Sequence, residues 1–136
     1  MSTRSITTFF DTDYAGKPER LCTIYRHFDG YPEGHGAELF EFLTTKTVID
    51  GMGAEHTANK YANGAGCLAA QFIQHIKAKY PLGNVYMARP RVQLQGEEYG
   101  YEVTVLPNGC VRVEVRGVNG KLFKGSVAEF GVFCKQ

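Results

Sequence analysis

The chain has no run approaching the ~18 apolar residues of a membrane-spanning helix. Its first ten residues mix Ser, Thr and Arg with few apolar side chains, so no signal peptide is expected and a cytoplasmic location is the expectation. Net charge is nearly absent, at +1, which argues against a generic polyanion binder. The four cysteines, at positions 22, 67, 110 and 134, match no zinc spacing, and free thiols in a reducing compartment are expected. No repeat, low-complexity segment or linker interrupts the 136 residues, so residues 1–136 read as one domain. Hydrophobic residues make up 43%, enough for a core that needs neither disulfide nor metal.

What charge there is lies unevenly. Residues 1–76 carry 6 Lys/Arg against 9 Asp/Glu, and residues 77–136 carry 9 against 5. A basic C-terminal surface is one expectation. Arg89, Arg91, Arg112, Arg116, Lys121 and Lys124, with Tyr86, Tyr99 and Tyr101 among them, would suit a nucleic-acid face. Glu97, Glu98, Glu102 and Glu114 dilute it, so a solvated sheet face is favoured over nucleic-acid binding.

Ile6 to Asp11 reads as a strand, Tyr14 to Pro18 as a turn, and Leu21 to Phe28 as a second strand paired with the first. Pleating puts Thr23, Tyr25 and His27 on one face, with Cys22, Ile24, Arg26 and Phe28 on the other. Ala37 to Thr45 reads as a helix with Leu39, Phe40 and Leu43 as its stripe. Residues 54–63 read as a polar loop, and His56 as a surface residue. A stronger helix runs from Cys67 to Lys79, with Leu68, Phe72 and Ile76 at i, i+4 and i+8 and His75 to the side. Val85 to Arg89, Tyr99 to Val105, Val111 to Arg116 and Lys121 to Phe123 read as strands, separated by turns at Pro107-Asn108-Gly109 and Asn119-Gly120. The fold class is α+β, order ββ-α-α-ββββ, an antiparallel sheet on two helices.

The richest stretch is Ile24 to Gly36, which concentrates Tyr25, Arg26, His27, Asp29, Tyr31, His35 and three glycines. Gly34-His35-Gly36 before Ala37-Glu38 has the form of a glycine loop opening a helix, where free N–H groups and the helix dipole attract anions. Arg26 would add a bidentate phosphate or carboxylate contact. Tyr25 and Tyr31 would stack on a planar base, and His27 and Asp29 would supply polar specificity. Asn63, Gly64 and Gly66 repeat the form at the second helix, so two such starts would suit a ligand with two phosphates. The competing reading is that these glycines only shape a connection.

Two chemistries compete. His27 and Asp29, two apart, could act as base and orienter of a small hydrolase, although no nucleophile lies in an elbow-like context. His27, Asp29 and His35 could ligate a metal, yet no HxH or HExxH spacing is present. Neither a cofactor nor a metal is expected.

The segment Tyr25-Arg26-His27-Phe28-Asp29-Gly30-Tyr31-Pro32-Glu33-Gly34-His35-Gly36, together with Asn63-Gly64-Ala65-Gly66-Cys67-Leu68-Ala69-Ala70-Gln71 and Glu98-Tyr99-Gly100-Tyr101, resembles a group of small phage and prophage proteins that carry no assigned activity. Their shared segments are YRH-x-DGYP-x-G-x-G, NG-x-G-x-LAAQ and a Glu-Tyr-x-Tyr strand, and the likeness covers roughly residues 20–105. The resemblance implies phage origin. Small phage proteins often block host defence, some as homo-oligomeric sponges that sequester nucleotide messengers. The expectation is therefore a non-enzymatic binder of a small anionic ligand, a nucleotide. The alternative is a protein-interaction inhibitor of a host enzyme.

Overall fold

A computed structural model describes residues 2–51, 53 and 60–136. Of the polar loop expected over 54–63, residues 54–59, His56 among them, lie outside the described residues, and its end is a short strand instead, Tyr61–Asn63. The fold is α+β. Strands β1 (Ser5–Thr12), β2 (Pro18–Arg26), β5 (Val85–Ala88), β6 (Tyr99–Val105), β7 (Val111–Gly117) and β8 (Gly120–Ser126) form one sheet in the order β5-β2-β1-β6-β7-β8. Helices α1 (Ala37–Leu43), α2 (Gly64–Lys79) and α3 (Val127–Cys134) complete the main layer, with a short parallel pair, β3 (Thr47–Ile49) and β4 (Tyr61–Asn63), between the first two.

Three features depart from the expected order. The sheet is mixed, because β6 returns beside β1 in the same direction, Thr7 opposite Tyr101 and Phe9 opposite Val103. The β3–β4 pair is too short to show a period. Helix α3 is an addition, and its signal is in the sequence: Ser126 and Glu129 form a reciprocal capping box ahead of Phe130.

The core lies on one face of the sheet. Phe9, Ile24, Tyr101, Val103, Val113 and Val115 point into it and meet Leu39, Phe42, Leu68, Phe72, Ile76 and Phe130 from the helices. Phe72 sits 5.7 Å from the Phe9 ring and 5.3 Å from that of Phe42, so α2 pins α1 to the sheet. Gly64 opens α2 at φ +81°, a left-handed conformation that suits glycine.

The opposite face is divided. Over β1 and β2 it is covered by the segment Arg89 to Glu98. There Arg91 binds Glu97 through two 2.9 Å hydrogen bonds, and its carbonyl accepts from Thr8 (2.6 Å) and Thr23 (3.2 Å). Over β6 to β8 it is open and carries a charge ladder. Arg116 pairs with Glu102 and Glu114, and Lys121 lies 3.8 Å from Glu114. The C-terminal basic excess is thus partly spent in cross-strand pairs, as on a solvated sheet face. The four cysteines are free thiols. Cys134 is buried, Cys22 and Cys67 are half-buried, and Cys110 is exposed. No helix among the described residues is long and apolar enough to cross a membrane.

Candidate functional site

β2 carries Arg26 on its core face, opposite Ser5 of β1, and the side chain is 1% exposed. A buried guanidinium needs partners, and it has four. Nε donates to the Phe28 carbonyl (2.6 Å), Nη1 to Glu38 Oε2 (2.8 Å) and His35 Nδ1 (3.3 Å), and Nη2 to Tyr80 Oη (3.1 Å). Tyr80 in turn donates to Glu38 Oε1 at 2.6 Å. The hydrogen bonds from Arg26 and Tyr80 hold the Glu38 carboxyl below its ordinary pKa against the opposing effect of burial. His35, fully buried, is pushed down to about 3, first by desolvation and then by the Arg26 charge. Arg26 is therefore held inside the protein, where the sequence reading had it meeting a phosphate.

The amides of the glycine loop are also engaged. Pro32–Gly36 form a π turn that runs straight into α1. Gly34 N–H donates to the Tyr31 carbonyl (3.0 Å), His35 N–H to Asp29 (2.8 Å) and Gly36 N–H to Tyr31 (3.4 Å). The glycines serve close packing. A Cβ at Gly34 would lie 2.6 Å from the Asp29 carbonyl oxygen, and one at Gly36 would lie 2.9 Å from Cys134 Sγ of α3.

His27 and Asp29 do not pair with each other. His27 Nδ1 bonds to Tyr25 Oη at 2.8 Å, while Asp29, at φ +60°, accepts from Tyr31 Oη at 3.4 Å. On the sheet's other face Tyr25 sits 6.2 Å from Tyr86, and His27 lies edge-on to Phe28 at 4.6 Å. These rings form a half-exposed aromatic surface at the β2–β5 edge.

Asn63, Gly64 and Gly66 stand at the far end of α2. Asn63 Oδ1 accepts from Gly51 N–H (2.8 Å) and does not cap the helix. Tyr80, which touches Arg26 and Glu38, follows the opposite end of this 16-residue helix. In the first glycine loop His35 packs 6.0 Å from the ring of Phe72 at the middle of α2, eight residues from Gly64, so at 1.5 Å per residue the two loops stand roughly 12 Å apart along the helix axis.

A different cleft, of about 500 Å³, opens between α1, β4 and α2, lined by Phe42, Lys46, Lys60, Gln71, Gln74 and His75, with Thr45 and Ala78 at its margin. Thr47 N–H donates to the Lys60 carbonyl at 2.8 Å, which holds Lys46 and Lys60 side by side. Their ammonium groups lie 5.2 Å from the Phe42 and Tyr61 ring centres respectively. Gln71 Nε2 donates to the Tyr61 carbonyl at 2.9 Å, which fixes the amide and turns Oε1 elsewhere. Gln71 Oε1 and His75 Nε2 are both buried without a hydrogen-bond partner. The described lining residues include no carboxylate. Sequence reasoning passed over this cleft. Gln71 and His75 share a helix face at i, i+4, but nothing in the chain joins them to Lys46 or Lys60.

No family model, curated protein or solved structure matches this chain.

Proposed function

We propose that this is a non-enzymatic binding protein for a small anionic ligand of the nucleotide class. In this reading it works as a homo-oligomer in the host cytoplasm, sequestering a nucleotide messenger of anti-phage defence. The setting rests on the resemblance to phage proteins. The binding rests on one observation: the cleft between α1 and α2 carries Lys60 in its lining beside the half-buried Gln71 and His75. A cation at a cleft attracts an anion, and walls of lower dielectric strengthen that attraction. The anion is thereby assigned to the cleft, because the Arg26 donors and the loop amides are engaged internally.

Isothermal titration with pyrophosphate, AMP and cyclic dinucleotides tests the reading. Binding that weakens at least ~10-fold in Lys60→Glu, with the ligand recovered unmodified, supports it. No heat with any of them, or affinity unchanged in Lys60→Glu, would overturn it.

One observation favours a second reading, inhibition of a host enzyme by contact. Phe28, Leu82, Tyr86 and Met87 expose large apolar side chains, Leu82 to 95%. Retention of one host protein by the wild-type chain, lost in Tyr86→Ser with Phe28→Ser, would support it.

A further inference from the structure

The two edges of the main sheet are finished differently. At β5 the edge is closed from within. Lys77 Nζ donates to the Val85 carbonyl (3.2 Å), and Val85 N–H turns back to the Gly83 carbonyl (2.7 Å). β8 is last in the sheet at the other side, bonded to β7 alone, and nothing among the described residues takes its outward backbone groups. An edge with free N–H and C=O groups is a template for another strand.

The side chains beside that edge are of two kinds. On the open face stand Lys121 and Lys124, both exposed, in register with Arg116 and Glu114 of β7. The Glu114 carboxylate is already shared between Arg116 (2.9 Å) and Lys121 (3.8 Å). Lys124 makes no ion pair with any described residue. On the helix side Phe123 and Phe133 stack at 5.1 Å, both half-buried, and Val132 of α3 is exposed.

We propose that β8 is a docking edge for an extended acidic segment of another protein, added beside it as a further strand. Successive side chains of a strand point to opposite faces. An incoming strand therefore meets the Lys121 and Lys124 charges on one face and the Phe123, Val132 and Phe133 surface on the other. Its complement is a segment that alternates acidic and apolar residues. A second copy of this chain fits worse, because two β8 edges paired antiparallel would set lysines near lysines. A phosphate chain laid across the open face would run over the carboxylates of Glu102 and Glu114. Lysines on an open edge hinder indiscriminate pairing, and the same charges admit an acidic strand. The edge shares no residue with the cleft, so it stands or falls apart from the anion reading.

The test titrates the isotope-labelled full chain with octapeptides and follows backbone amide shifts. One peptide alternates glutamate and valine, a second alternates lysine and valine, and a third is the glutamate peptide with every backbone amide methylated. The glutamate peptide is expected to shift the amides of Lys121 to Gly125 and to bind at least ~10-fold tighter than the other two. Lys121→Glu combined with Lys124→Glu should reverse the preference between the two charged peptides, a gain that a misfolded variant could not show. No shift with the glutamate peptide, shifts confined to other elements, equal binding of the acidic and basic peptides, or binding that survives methylation would overturn the proposal. Tighter binding of an oligothymidine octamer at the same amides would overturn it by assigning the charges to nucleic acid. Concentration-dependent protection of the β8 amides without peptide would overturn it by assigning the edge to a second copy.

Discussion

The Arg26 guanidinium lies 3.3 Å from Nδ1 of His35, and that contact fixes the histidine's tautomer. Arginine can only donate, so Nδ1 is the acceptor and the proton sits on Nε2, which donates to Thr7 Oγ1 at 2.7 Å. One neutral imidazole thus links β1, β2 and the turn before α1. The same contact explains why protonation of His35 is so unfavourable: a second cation would face Arg26 inside the core.

That arrangement makes stability depend on pH. The folded-state value of His35, about 3, lies below the ordinary 6.5, so the unfolded chain binds the extra proton between them. Stability is complete above about pH 6.5 and falls as pH drops through the window. Glu38, held low by Arg26 and Tyr80, adds to the loss at the acid end. Thermal melts of wild type should drop between pH 6.5 and about pH 5, where most carboxylates are still ionised. His35→Gln should flatten that part of the curve. A wild-type melting temperature that holds steady across this range would contradict the assignment.

Removing Arg26 should destabilise the fold rather than abolish anion binding. Arg26→Ala strands Glu38 Oε2 and His35 Nδ1 beside the core and should cost about 3–5 kcal/mol in urea unfolding. Arg26→Lys keeps the charge but loses the fork, so it should recover only part of this. A loss below about 1 kcal/mol would mark the pair as an ordinary surface contact.

Gly36→Ala should cost about 1–3 kcal/mol through overpacking against Cys134. Cys134→Ala removes the Sγ atom that the new methyl would meet. The double variant should therefore be more stable than the sum of the two single changes predicts. Additive losses in chemical denaturation would place the strain elsewhere.

Anion binding in the cleft should weaken with salt, because its attraction comes from the Lys60 charge in the lining. Raising NaCl from about 0.05 to 0.5 M should lower pyrophosphate affinity several-fold in wild type. Lys60→Glu should show a smaller salt slope.

Local periodicity and turn chemistry marked the six strands of the main sheet and two of the helices, but not β3 or β4. The alternation from Tyr99 to Val105 and from Val111 to Val115, and the stripe Leu68, Phe72 and Ile76, appear where the pattern put them. These signals survive because one buried face imposes its own period. The parallel pairing of β1 with β6 carried no such mark, since it joins strands about 95 residues apart. Helix α3 did carry one, in Ser126 and Glu129.

The sequence by itself determined that Tyr25 to Gly36 is dense in polar and flexible groups, and that β2 carries Arg26 and Ile24 on one face. Only the tertiary structure decided which way that face turned. Arg26 went inward because Glu38, Tyr80 and His35 converge on it from α1, the end of α2 and the π turn. Lys46, Lys60, Gln71 and His75, unremarkable along the chain, met in one cleft because α2 packs across α1 and beside β4. A residue's chemistry is written locally. Whether that chemistry faces a neighbour or a ligand depends on contacts between segments far apart in the chain, and those form only when the core closes.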